Sequence, residues 1–183
     1  SAALASPGVG EVHVLEREPA VIRWNRGLLA PFNVGALSDP RVQTHEADVV
    51  DWLADAPARS LDAICLDVDN GPDWLVSSGN NWLYEDEGLR TAARVLTADG
   101  VLTIWSATAS PAIVARMKDH FTEVDVTAVS VARGAPDVLL RRSGLGESTP
   151  PVAPAGWAVA GTRQGAPARP DRVAKREGSK ARS

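Results

Sequence analysis

The run LDAICLDVDNGP, residues 61–72, decides the fold of this chain. Its first six residues are strongly apolar and bounded by polar residues on both sides. That pattern fits a central parallel strand, which is covered on both faces and so lacks a polar alternate row. Asp67 closes the run, and Asn70-Gly71-Pro72 then forces a turn. Two earlier runs end in the same way, with Glu16 after EVHVL and Asp48 after RVQTHEA. The three acids are 32 and 19 residues apart, enough in each case for a helical crossover between neighbouring strands. In an open α/β sheet such residues stand at the carboxyl ends of strands, where ligands bind. Three carboxylates facing one crevice suit a ligand that offers ribose hydroxyls, an adenine amine and a cation.

Working outward, residues 12–15 and 41–45 read as strands, and 18–29 as a helix with Pro19 in its first turn. Gly27 weakens or ends that helix, and 31–40 is a loop. Residues 49–54 form a short helix for which Asp48 is also a good N-cap. Residues 73–84 read as a long loop over the crevice, with Trp74 and Trp82 as walls or as ordinary loop packing. A helix over 85–96 exits through Ala98-Asp99-Gly100 into a buried strand over 101–105. Ser110 and Pro111 open a helix over 111–121. Two last strands, 124–131 and 137–140, flank a short Gly134-containing connection, which predicts an antiparallel hairpin. The expected fold is therefore α/β, a mostly parallel Rossmann-like sheet ending in an antiparallel hairpin. The opening residues read like the end of a helix, so a sheet whose first strand and glycine-rich turn are missing is expected.

Charge divides along the chain. Residues 1–140 hold 20 acidic and 10 basic side chains, whereas 141–183 hold 3 acidic and 9 basic ones. The acidic part attracts cationic ligands and repels nucleic acid. The expected domains are an N-terminally incomplete catalytic domain over 1–142 and a basic, Pro/Gly/Ala-rich disordered tail over 143–183, in which Trp157 is the one apolar point. The single Cys65 reads as a small core residue and fits a reducing, cytoplasmic compartment. No apolar stretch approaches the roughly 18 residues of a membrane span. No His/Cys cluster has metal-ligand spacing, and no nucleophile elbow or phosphate loop is present. His13 and His45 read as sheet-face residues, and His120 as a cation at a helix end.

The runs VHVLEREPAVIRWNR, DPRVQTHEADVVDWL, LDAICLDVDNGP and NNWLYEDEGLRTAARVLTADGVLTIWS together resemble the spermidine synthase family. These enzymes are polyamine aminopropyltransferases built on the class I S-adenosylmethionine-dependent methyltransferase fold. The resemblance implies that Glu16, with Glu18 as a second acid, binds the ribose of the nucleoside, and that Asp48 holds the adenine amino group. Ala47 and Val49 stand where the family has glycines around that aspartate. The resemblance implies Asp67 as the catalytic acid opening an Asp-x-x-Asp motif. Asn70 replaces the motif's second acid, and Asp69 is displaced by one position. Asp69, Asn70 and Tyr84 are the residues expected to meet the substrate, although turn formation and packing explain them as well. The implied co-substrate is decarboxylated S-adenosylmethionine or S-adenosylmethionine, with no metal. The implied partner is a small amine, in a homodimer, with neither membrane nor nucleic acid.

Aminopropyl transfer is attack by an amine on a methylene beside a sulfonium. The amine carries a proton near neutrality, because alkyl amines titrate near about 10, as lysine does. A partly desolvated carboxylate can orient the ammonium and accept that proton, which is the task expected of Asp67. Methyl transfer to a small molecule is the alternative and relies mostly on positioning. A non-catalytic nucleoside-binding relative is a further reading. A nicotinamide-binding domain is disfavoured by the terminal hairpin.

Overall fold

The computed structural model describes residues 2–131, 137–143 and 157–160. In chain order its elements are β1 (Val12–Glu16), α1 (Pro19–Arg26), β2 (Val42–Glu46), α2 (Val49–Asp55), β3 (Leu61–Leu66), α3 (Asp86–Val95), β4 (Leu96–Ser106), α4 (Pro111–His120), β5 (Glu123–Val129), β6 (Asp137–Ser143) and β7 (Trp157–Ala160). All seven strands form one sheet in the order β2-β1-β7-β3-β4-β6-β5. Neighbours from β2 through β4 are parallel, and β6 is antiparallel to both β4 and β5. The expected parallel sheet with a terminal antiparallel hairpin is thus observed.

One element was placed differently by sequence. Residues 157–160 were expected in a disordered tail, yet they form a strand at the centre of the sheet, between β1 and β3. WAVA is too short to show a period, but it is wholly apolar, as a central strand must be. The remainder of the expected tail, 144–156 and 161–183, lies outside the described residues, as does the hairpin connection 132–136.

Local chemistry sets the helix ends. Asp48 Oδ1 accepts from the Val50 amide at 2.9 Å and so caps α2. Arg94, in the last turn of α3, donates to Ala56 O at 2.7 Å and to Leu53 O at 3.1 Å, satisfying carbonyls at the end of α2. Helix α1 stops at Arg26, earlier than expected, with Gly27 as its C-cap. Strand β4 starts earlier than expected. Its register slips between Leu61 and Ala63, so the Thr97–Gly100 stretch bulges out inside the strand rather than forming a simple helix exit. Thr97 Oγ1 donates to Asp62 Oδ1 at 3.1 Å at that bulge. Ser110 stands at the N-cap position of α4 without a side-chain capping bond.

The core joins Leu15, Ile64, Leu66, Leu102 and Ile104 of the sheet to Leu53 of α2, Leu89 and Val95 of α3, and Ile113 and Met117 of α4. Each such side chain, when fully buried, contributes about 1.5–3 kcal/mol. This row of helices fixes the loops at the carboxyl ends of the parallel strands.

Candidate active site

The end of β1 brings Glu16 into a buried position, 6% exposed. Its Oε1 accepts from the Glu18 amide at 2.7 Å, closing the turn into α1. Among the described residues nothing hydrogen-bonds to its other side-chain oxygen, which is left as a spare acceptor. Glu18 is half-buried at the N-cap position of α1. At the end of β2, Asp48 is engaged twice, by its own helix and by Arg17, whose Nη1 lies 3.1 Å from Oδ2. Because β1 and β2 are paired up to Glu16 and Glu46, these acids share one corner of the sheet. The Arg17 contact was not expected. Its only sequence signal is a cation directly after Glu16, and nothing local says which acid it meets.

Asp67 follows the last residue of β3 and is exposed at the carboxyl edge. Partial loss of water and then the carboxylate of Asp137 push its pKa above the ordinary carboxylate value. Asp137 reaches this edge because β6 runs antiparallel to β4, pairing Val138 with Ser106. The sequence shows Asp137 only as the start of a strand, since an electrostatic influence across the intervening β4 leaves no local trace.

The other expected substrate residues divide. Asn70 is exposed at the crevice, and its carbonyl accepts from the Ala107 amide at 2.8 Å, tying the ends of β3 and β4 together. Asp69 is buried, and its carboxylate accepts from the Val76 amide at 2.7 Å, Asn80 Nδ2 at 3.0 Å and Tyr84 Oη at 3.2 Å. With both oxygens engaged, it organises the loop over 70–84. Tyr84 is 2% exposed and donates inward to Asp69. Burial, and then Asp69, hold its hydroxyl protonated far above the ordinary tyrosine range, so it serves as a fixed donor. The loop contains a 3-10 turn over Ser78–Tyr84, with Trp82 packed against the core and Trp74 exposed. Gly71 has φ +122°, and a Cβ there would stand 2.1 Å from Ser106 Oγ. Only glycine permits this close approach of the loop to β4.

His13 and His45 lie on one face of β1 and β2 with ring nitrogens 3.0 Å apart, beside Trp52 of α2. They pack as sheet-face residues against α2.

No family model matches the chain. It is 34% identical over 103 residues to the polyamine aminopropyltransferase of Mycobacterium tuberculosis, covering 55% of this chain and 19% of that protein. It is also 34% identical over 105 residues to polyamine aminopropyltransferase 1 of Streptomyces coelicolor, covering 56% of this chain and 19% of that protein. Over a little more than half its length the chain is similar to the polyamine aminopropyltransferases. It spans about a fifth of the length of these curated relatives. Among solved structures it is similar to spermidine synthase from Thermotoga maritima, with a TM-score of 0.60 at 17% identity over 76% of this chain and 47% of that one. A precorrin-6y C5,15-methyltransferase from Geobacter metallireducens matches with a TM-score of 0.52 at 22% identity, over 74% of this chain and 68% of that one. Both likenesses bear on the fold, which is Rossmann-like and of the methyltransferase type.

Proposed function

We propose that this chain carries the nucleoside- and amine-binding part of a polyamine aminopropyltransferase, which moves an aminopropyl group from decarboxylated S-adenosylmethionine to an amine such as putrescine. The observation that carries the reading is the placement of Asp67, a strand-end acid that has lost part of its water, on the same sheet edge as Glu16 and Asp48. Glu16 fits a ribose hydroxyl through its unengaged oxygen. Asp48 fits the adenine amine less freely, since a ligand there must share or displace Arg17. An exposed pair of this kind is worth only about 0–1 kcal/mol, so displacement is a small penalty. Glu18 and Asn70 line the same edge in this reading.

In the reaction, the amine nitrogen attacks the methylene carbon next to the sulfonium, and the carbon–sulfur bond breaks to leave a neutral thioether. The amine proton passes to Asp67, whose raised pKa suits it to accept a proton. Among the described residues no helix is long and apolar enough to cross a membrane. A cytoplasmic location and a homodimer belong to the same proposal.

Methyl transfer is the second reading, and Asn70 favours it. An amide cannot neutralise a second ammonium as a carboxylate does, so diamine recognition is weaker than in a site with two acids. Calorimetry with S-adenosylmethionine, its decarboxylated form and NAD separates these readings, followed by turnover with putrescine. Tighter binding of the decarboxylated form together with turnover is the expected result. Binding of none of the three overturns both transferase readings.

A further inference from the structure

Strands β1 and β3 are not paired to each other; β7 alone bridges them. Val159 stands in register with Val14 on one side and Cys65 on the other, and Ala160 with Leu15 and Leu66. Take β7 away and two strand edges face each other across roughly 10 Å, twice the strand spacing. Each edge would present unpaired backbone donors and acceptors at the centre of the sheet, where they must find partners. The gap therefore has the width and hydrogen-bonding pattern for one extended peptide. WAVA meets the chemical requirement, being uncharged and free of proline.

The chain can deliver this segment itself. Strand β6 ends at the amino edge of the parallel strands, since Arg142 pairs with Leu102, and β7 begins at that same edge. Thirteen residues separate Ser143 from Trp157. They can span about 43 Å, against roughly 15 Å for three strand spacings. Loop closure of that length adds little entropy.

We infer that the slot between β1 and β3 is a strand-acceptor site for an extended apolar peptide, occupied by the chain's own Trp157–Ala160, and that filling it sets the spacing between Glu16 and Asp67. Each acid directly follows a residue paired with Ala160, so the strand lies between the nucleoside side of the crevice and the reacting side. The last clause rests on the proposed function; the acceptor site itself does not. Ligand that bridges the two sides favours docking of β7, and docking favours ligand by the same factor.

Cys65 is the chain's single cysteine, which permits a direct test in the full chain. Val159→Cys places a thiol at the register partner of Cys65, within the span of a disulfide. Mild oxidation followed by peptide mapping is expected to join the introduced thiol to Cys65 at least tenfold more efficiently than in Ala168→Cys. Equal yields overturn the acceptor site. In a second arm, Val159→Pro removes a donor that a central strand requires. Hydrogen exchange at His13 and Leu15, the β1 residues whose amides face β7, is expected to accelerate at least tenfold while Leu140 stays protected, and a peptide of residues 155–162 added in trans is expected to restore protection. Unchanged exchange, or no effect of the peptide, overturns the inference. Decarboxylated S-adenosylmethionine is expected to bind Val159→Pro at least tenfold more weakly than the unaltered chain. If the unaltered chain does not bind it, the proposed function falls while cross-linking and exchange still judge the strand site. If binding is equal in both, the claim that β7 sets the spacing of the acids falls.

Discussion

Tyr84 Oη donates to Asp69 Oδ2 at 3.2 Å, and both residues are buried. The loop that follows β3 is thereby fastened from inside. One carboxylate, two residues beyond Asp67, gathers a backbone amide, an amide side chain and a phenol from the next fifteen residues. The Arg116 guanidinium, from α4, also donates to the carbonyl of Tyr84 and anchors the far end of the loop.

Breaking this fastening is expected to loosen the loop in proportion to the groups left unpaired. Tyr84→Phe removes one donor, and about 1 kcal/mol of stability is expected to go with it. Asp69→Ala leaves the Val76 amide, Asn80 and Tyr84 without their acceptor, and about 3 kcal/mol is expected. Urea unfolding measures both. Equal losses would contradict the arrangement.

For Asp67, function rather than stability is at stake. Asp67→Asn keeps the shape and removes the base, so turnover is expected to fall by about 10²–10⁴-fold. Affinity for the nucleoside, measured by calorimetry, is expected to change little. Surviving activity would remove Asp67 from the reaction.

The acid limb of the rate profile tests the partner of Asp67. Asp137 contributes to raising the pKa of Asp67, so Asp137→Asn is expected to move that limb to lower pH. The stability sign follows from the same shift. A carboxyl whose pKa is raised on folding binds more protons in the native state. Its unfavourable contribution is absent below the ordinary value of 3.8 and develops as pH rises through the raised pKa. Thermal melts of Asp137→Asn should show less of this loss.

Arg17 and Asp48 form a pair of modest value, with side chains 50% and 29% exposed. Arg17→Ala is expected to change stability by about 0–1 kcal/mol. By freeing Asp48 Oδ2, it is expected to tighten binding of an adenosyl ligand by up to about fivefold. Asp48→Ala also removes the cap of α2, at about 1 kcal/mol, and is expected to weaken that ligand. Titration calorimetry on the two variants reads opposite signs if the reading of Asp48 holds.

The His13–His45 pair predicts a pH response away from the crevice. Burial, and then the neighbouring His13, lower the pKa of His45 below 6.5. A histidine that resists protonation in the native state loses stability as pH falls from 6.5 through its lowered pKa. His45→Gln is expected to flatten the melting temperature across that window. A slope identical to that of the unaltered chain would assign the response elsewhere.

The sequence by itself determined the parallel strands, the acids that end them and the antiparallel hairpin. All three are local properties: an apolar run, a turn after it and a short Gly-containing connection leave their marks within ten residues or so. Glu16, Asp48 and Asp67 were legible for that reason, and so was the capping by Asp48. The place of Trp157–Ala160 was not, because four residues carry no period and strand pairing is chosen by distant edges. The inward turn of Asp69 was hidden as well, since DVDN reads equally as a surface turn and as a buried anchor. Tertiary structure alone brought Arg17 to Asp48 and Asp137 toward Asp67, because electrostatic partners depend on the order and direction of strands in the sheet. Local periodicity fixed the strands and their acidic ends; only packing decided which strand fills the centre and which carboxylates remain available to a ligand.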